Sequence, residues 1–251
     1  MSDTWTIGGN EQGLTQKQQL AELCAYLDAH YEKEPADNYY AKLPDRITHA
    51  SMLLLGSAVD HSMPGVAFTE GVDSASVPEL NAVQFTGGES GTWVISLHPG
   101  DGWGGSGAAL EMHWRPEVAA VANLARTNAL DVDYSLAADP QTAVRSAVDY
   151  ARDAGAQAVV LWGHSAGAAL AVQCAAGADA LVLTFPDLHD VSLPDDLPPI
   201  FVQLASEEDS PAVTAGEVRE YVSRRFVSTP EVARQRIVDV SRKLVSIGNW
   251  R

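Results

Sequence analysis

The order of apolar and polar positions divides the chain into two regimes. Between about residues 10 and 60 the spacing is helical. Leu20, Leu23, Cys24 and Leu27 recur on one face of "TQKQQLAELCAYLDAHYEK", with Thr15 placed to cap its start. "PDRITHASMLLLGSA" reads as a second helix. From about residue 65 short apolar runs alternate with helical stretches. The runs predict strands at 65–72, 80–87, 92–98, 130–136, 157–162, 179–185 and 200–205. Helices are expected at "LEMHWRPEVAAVANLART", "PQTAVRSAVDYARDAG" and "AGAALAVQCAAG". In the last stretch "EVREYVS" suits one more strand. "PEVARQRIVDVSRKLVSIG" suits a closing helix, with Pro230 in its first turn and Val232, Ile237, Val240 and Leu244 on one face.

The strands from 157 onwards are almost wholly apolar, as they must be when helices cover both faces of a parallel sheet. The pattern is therefore α/β, a doubly wound and mostly parallel sheet, with the early strands open to antiparallel pairing at one edge. We divide the chain into a helical N-terminal segment, 1–64, and an α/β core, 65–251.

Composition narrows the partners. Of 251 residues 46% are hydrophobic and 20% charged, enough for a sizeable core. The formal charge of −17 repels phosphate backbones and anionic lipid, so neither nucleic acid nor a membrane surface is an expected partner. No run of about 18 apolar residues is present. The opening "MSDTWTIGGNEQGLTQKQQL" has neither the basic nor the apolar region of a secretory signal. Cys24 and Cys174 read as isolated buried thiols, which fits a reducing, cytoplasmic setting. The oligomeric state leaves no mark in the sequence.

"GHSAG" (163–167) follows an apolar strand and opens a small-residue helix. In a G-x-S-x-G turn of that kind the serine is held in a strained conformation at the tip, and flanking glycines relieve crowding between strand and helix. Ser165 is thus a candidate nucleophile, and the amide of Ala166, at the helix start, a candidate oxyanion donor. His164 should point away from the serine, as a packed residue. "LHPGDGWGGSG" ends an earlier strand. Its glycines let backbone amides approach a ligand, so Gly100, Asp101 and Gly102 are candidates for the other half of the oxyanion hole.

With these motifs in place the chain resembles the α/β-hydrolase superfamily, in its esterase branch related to hormone-sensitive lipase. "HPGDGW" (98–103), "DYSLAAD" (133–139) and "GHSAG" stand in that family's order, within about residues 65–210. The resemblance implies hydrolysis of a carboxylic ester through an acyl-Ser165 intermediate, with no metal and no organic cofactor. It also implies that the N-terminal helices form part of a lid over the site.

The departures are as informative. Pro99 stands where the family has a glycine, and the loop is one residue longer. The family's base, a histidine after the last strand, is missing: "RRF" (224–226) replaces H-x-F, and the last histidine of the chain is His189. An arginine stays protonated and cannot take a serine proton. Glu208 and Asp209, at the end of a strand, suit the acid of a triad or a plain salt bridge to Arg224. His189, beside Asp187 and Asp190, is the best remaining base, because triads are defined by geometry and not by chain order. The other histidines fit less well. His98 belongs to the glycine loop, His113 to a helix face, and His30, His49 and His61 to the N-terminal segment. Tyr26, Tyr31, Tyr39 and Tyr40 either pack that segment on the core or line an acyl pocket.

Three readings follow. The first is a serine hydrolase of small or medium acyl esters. The second is a catalytically degraded homologue that binds a small-molecule ligand or a protein partner. The third is an acyltransferase, which needs an acceptor site that the sequence does not reveal.

Overall fold

A computed structural model describes residues 13–100, 102–105, 107–191, 193–194, 196–209 and 216–248. Among the described residues eight strands form one sheet: β1 (Asp73–Val77), β2 (Ala82–Thr86), β3 (Thr92–Leu97), β4 (Asn128–Val132), β5 (Ala158–His164), β6 (Ala180–Thr184), β7 (Ile200–Ala205) and β8 (Glu217–Tyr221). Their spatial order is β1-β2-β4-β3-β5-β6-β7-β8. β1 and β2 run antiparallel at one edge, and the six strands from β4 to β8 are mutually parallel.

Alternation along each central strand sends side chains to two separate cores. In β5, Val159 and Leu161 face one side, where α5 (Pro140–Asp153) and α6 (Ala166–Gln173) supply Val144, Ala147 and Ala171. Val160 and Trp162 face the other side, against α4 (Arg115–Ala125) and α7 (Pro230–Gly248). A π-helical turn, Leu110–Trp114, leads into α4. Here α4 and α7 meet through a buried ion pair, in which Arg236 Nη2 donates to both carboxylate oxygens of Glu117 at 2.5 and 2.6 Å.

The N-terminal helices α1 (Gln16–His30) and α2 (Ala36–Leu55) pack on each other through Leu23, Leu27, Leu43 and Ile47, and reach α7 at Ala233. Thr15 caps α1: its hydroxyl accepts from the Gln18 amide, and the Gln18 side chain accepts in return from the Thr15 amide. The second helix starts at Ala36, ahead of Pro44, where the expected helix begins. An internal proline has no N–H for the carbonyl four residues back, here Tyr40. His113 Nδ1 donates to that carbonyl at 3.3 Å, so the lost helical bond becomes a contact between α2 and the π-helical turn.

The strand expected at 65–72 is a second correction. Pro64 opens a short helix, α3 (Pro64–Ala67), and the strand falls at Asp73–Val77. β1 is an edge strand exposed along most of its length, so it needs no apolar run and offers none to read. The tyrosines of the N-terminal segment pack as well: Tyr39 is buried, and the Tyr40 ring stacks on Trp103 at 4.8 Å between centroids.

One test follows from the α4–α7 contact. Glu117→Gln leaves a buried guanidinium without its carboxylate and should cost about 3–5 kcal/mol. Urea denaturation checks it, and a loss below about 1 kcal/mol would show that the pair carries little of the packing.

Candidate active site

β5 delivers Gly163 and His164 to the carboxyl end of the sheet, and α6 begins at Ala166. Ser165, between them, has φ 53° and ψ −116°, a region that a residue with a side chain occupies only when its surroundings impose it. The surroundings do so through contact. A Cβ on Gly163 would run into the backbone of Gly167 and Ala168, and one on Gly167 into the carbonyls of Leu97 and His98. Both glycines are therefore required by the crossing of strand and helix, with β3 packed behind it.

Ser165 Oγ receives a hydrogen bond from Arg225 Nη1 at 3.5 Å. Arg225 lies in the turn that follows β8, closed by a bridge between Ser223 and Ser228. The same guanidinium donates to Asp187 Oδ2 at 2.8 Å, and its Nε lies 3.7 Å from Glu208 Oε2. The carboxylate at the end of β7 therefore pairs with Arg225, not with Arg224 as the sequence suggested. Arg224 lines a neighbouring cavity with Glu208 itself and with Cys24, Asp28 and Lys33 of the N-terminal segment. The Arg225 guanidinium thus faces two carboxylates, Asp187 and Glu208. Asp209 stands exposed next to Glu208.

Among the described residues no histidine hydrogen-bonds the serine hydroxyl. His189 is mostly exposed, with Nε2 3.9 Å from Asp187 Oδ1. His164 is buried and turned away from the hydroxyl; its Nε2 donates to the Arg225 carbonyl at 2.9 Å. Burial holds the His164 pKa well below the usual imidazole range, and the nearby positive charge of Arg236 adds to this.

The glycine loop is engaged with itself. The amide of Ala166, expected to be free, donates to the carbonyl of Pro99 at 3.3 Å. The amide of Gly100 (φ +110°) donates to His98 Nδ1 at 3.2 Å. Two of the four predicted oxyanion donors thus have protein acceptors. Gly102 takes φ +79°, close against Ala36 and Tyr40 of α2, and Asp101 lies outside the described residues. Nothing in the sequence signals that Pro99 would direct its carbonyl at the elbow.

The "DYS" segment, noted in the sequence but given no role there, anchors this loop. Tyr134 stacks on His98 at 4.0 Å and its hydroxyl donates to the His98 carbonyl at 2.9 Å. Asp133 accepts from the amide of Gly105 at 2.8 Å and from Ser135 Oγ at 2.5 Å, and its Oδ1 lies 3.4 Å from His98 Nε2. Among the described residues no group of three or more histidine, cysteine, aspartate or glutamate side chains is placed to hold a metal ion. Nor is any described helix long and apolar enough to cross a membrane.

No protein-family model and no curated protein matches the chain. Solved structures do match it. An esterase from the bacterial hormone-sensitive lipase family superposes with a TM-score of 0.64 at 15% identity, over 94% of this chain and 100% of that one. A hormone-sensitive lipase from a metagenome library gives 0.60 at 12%, over 94% and 99%. An esterase from Pyrobaculum calidifontis gives 0.60 at 16%, over 87% and 94%. The chain has the α/β-hydrolase fold in the form seen in hormone-sensitive lipase-like esterases.

The buried histidines give this site a pH signature. The pKa values of His164 and His113 both lie below the usual imidazole value, mainly through burial. The unfolded chain therefore binds protons that the folded chain refuses. Stability is full above about pH 6.5 and falls as the pH drops below it, with a limiting slope of about 1.4 kcal/mol per pH unit for each histidine. Urea midpoints between about pH 8 and pH 5 should show the decline, and His164→Gln should reduce its slope; equal slopes in the two proteins would remove His164 as a cause.

Proposed function

We propose that this chain is a degraded relative of the serine esterases, a module that binds a small, neutral acyl compound against Ser165 without turning it over at an enzyme's rate. The observation that carries this reading is the position of Arg225. Its guanidinium hydrogen-bonds the serine hydroxyl where a general base is needed, and a group that stays protonated through the accessible pH range cannot accept the proton. The backbone agrees, because the amide of Ala166 is already bonded to Pro99. A carbonyl oxygen entering the site has to displace that acceptor before it is polarised. The carboxylates of Asp187 and Glu208, on a chain of formal charge −17, favour an uncharged ester or amide over an anionic ligand. In this reading α1 and α2 cover the site, with Tyr40 over Trp103.

A second reading, an active hydrolase of small or medium acyl esters, rests on one contact. His189 lies beside Asp187, the carboxylate that also holds Arg225. If the loop after β6 carried the imidazole to Ser165, the pair would form a base and its acid on one loop.

Turnover of p-nitrophenyl acetate and butyrate separates the two. The binding reading expects wild type and Ser165→Ala to differ little, and His189→Ala to match wild type. Arg225→His, which puts an imidazole beside Ser165 with Asp187 and Glu208 in reach, should raise serine-dependent kcat/KM by about 10²-fold or more. Strong serine-dependent turnover by wild type, lost in His189→Ala, would overturn the binding reading and establish the second.

A further inference from the structure

One peptide unit closes the oxyanion side of the site. The carbonyl of Pro99 accepts from the Ala166 amide at 3.3 Å, and the N–H at the other end of the same peptide, on Gly100, donates to His98 Nδ1 at 3.2 Å. In a trans peptide these two groups point in opposite directions, so the unit is held from both sides. Its pivot is Gly100. A φ of +110° suits glycine and strains any other residue, and a half-turn of the peptide takes it to about −70°, which every residue adopts.

That half-turn exchanges the two ends. The Gly100 N–H swings to the elbow, beside an Ala166 N–H that has lost its acceptor, and the Pro99 carbonyl swings to His98. Ala166 is exposed and Gly100 half-buried, so the two amides then open outward as paired donors for one oxygen.

His98 decides which orientation holds. Its ring is wholly buried and stacked on Tyr134, with Nε2 3.4 Å from Asp133 Oδ1. Because Nδ1 accepts from Gly100, the neutral ring carries its proton on Nε2, toward that carboxylate. Flipping the peptide against the neutral ring sets the Pro99 oxygen on the Nδ1 lone pair and forfeits both hydrogen bonds. The other neutral tautomer is no remedy, since Nε2 then turns a lone pair on Asp133. A second proton reverses the balance. Nδ1–H opposes the Gly100 N–H in the observed orientation and donates to the Pro99 carbonyl in the other, while Nε2–H keeps facing Asp133. Asp131, buried on β4 and paired with Arg115, also acts on the ring in favour of the imidazolium. Burial works against that charge, and the two carboxylates work for it. Tyr134 keeps its hydroxyl on the His98 carbonyl, outside the peptide that turns.

We propose that the carbonyl-binding hole of this site forms by a half-turn of the Pro99–Gly100 peptide, driven jointly by a proton on His98 and by the oxygen of the ligand. The inference rests on the reading that the Ser165 site receives an uncharged acyl compound. Proton and ligand favour the same orientation, so each tightens the binding of the other.

Crystals of the full chain at about pH 8 and about pH 5 read the peptide directly. The Pro99 carbonyl should lie on Ala166 at the higher pH and on His98 at the lower. In solution, the ring nitrogen shifts of His98 and the amide resonance of Gly100 should move together over that range. His98→Gln should keep one orientation throughout, and Asp133→Asn should move the transition by about one pH unit or more toward acid. The Tm of each variant at about pH 8 reports whether it is folded. Butyramide, uncharged throughout, is the ligand probe; it should bind about tenfold or more tightly at about pH 5.5 than at about pH 8, a difference that His98→Gln loses. One orientation of the peptide at both pH values in wild type would overturn the proposal, as would protonation of His98 with no change at Gly100. A flip without butyramide binding at either pH would uphold the switch and overturn the acyl-binding reading. Equal butyramide binding at both pH values, with the peptide unmoved, would do the reverse.

Discussion

The structure depends on a backbone crossing that admits no side chain at residues 163 and 167. β5 ends and α6 begins within five residues, pressed against the carbonyls of Leu97 and His98 at the end of β3. That crowding forces Ser165 into its strained conformation and fixes its position at the carboxyl edge of the sheet. It also brings the Pro99 carbonyl to the Ala166 amide, and sets His164 between two aromatic walls, Trp114 and Phe226. The strained geometry of Ser165 is thus kept by packing alone, whatever chemistry the serine performs.

Around that fixed point the polar groups have paired with one another. Arg225 holds the serine hydroxyl and two carboxylates, Pro99 holds the helix amide, and His98 holds the amide of Gly100. A hydrolytic site works because its donors and its base are preorganised and free to meet developing charge. Here the amides of Ala166 and Gly100 already have protein acceptors. Pairing of this kind offsets the desolvation cost that unpartnered buried polar groups would carry in the folded state.

Much of the architecture was legible from the chain. Central strands such as "QAVVLW" are buried on both faces and must be apolar throughout, so their runs stand out. The edges did not show. β1 is mostly polar because solvent covers it, and the apolar stretch before it became a helix opened by Pro64. In the site, Ser165 was legible because the glycine spacing reports a steric fact about backbone. The partners of its donors were not, because whether Pro99 presents its carbonyl or an amide to Ala166 depends on a single peptide orientation. Which of two adjacent arginines faces inward depends in the same way on the phase of one tight turn, set by the Ser223–Ser228 bridge.

Pro44 gives the N-terminal helices an address on the core. A regular helix offers no spare carbonyl in its interior, so it can slide along a neighbour with little penalty beyond packing. The proline leaves one carbonyl of α2 open, and His113 Nδ1 answers it from a partly buried position. A shift of the helix by one residue, about 1.5 Å along its axis, would strand both groups away from water. The N-terminal segment is therefore keyed to one register, and the residue that most weakens α2 as a helix is the one that tells it where to sit.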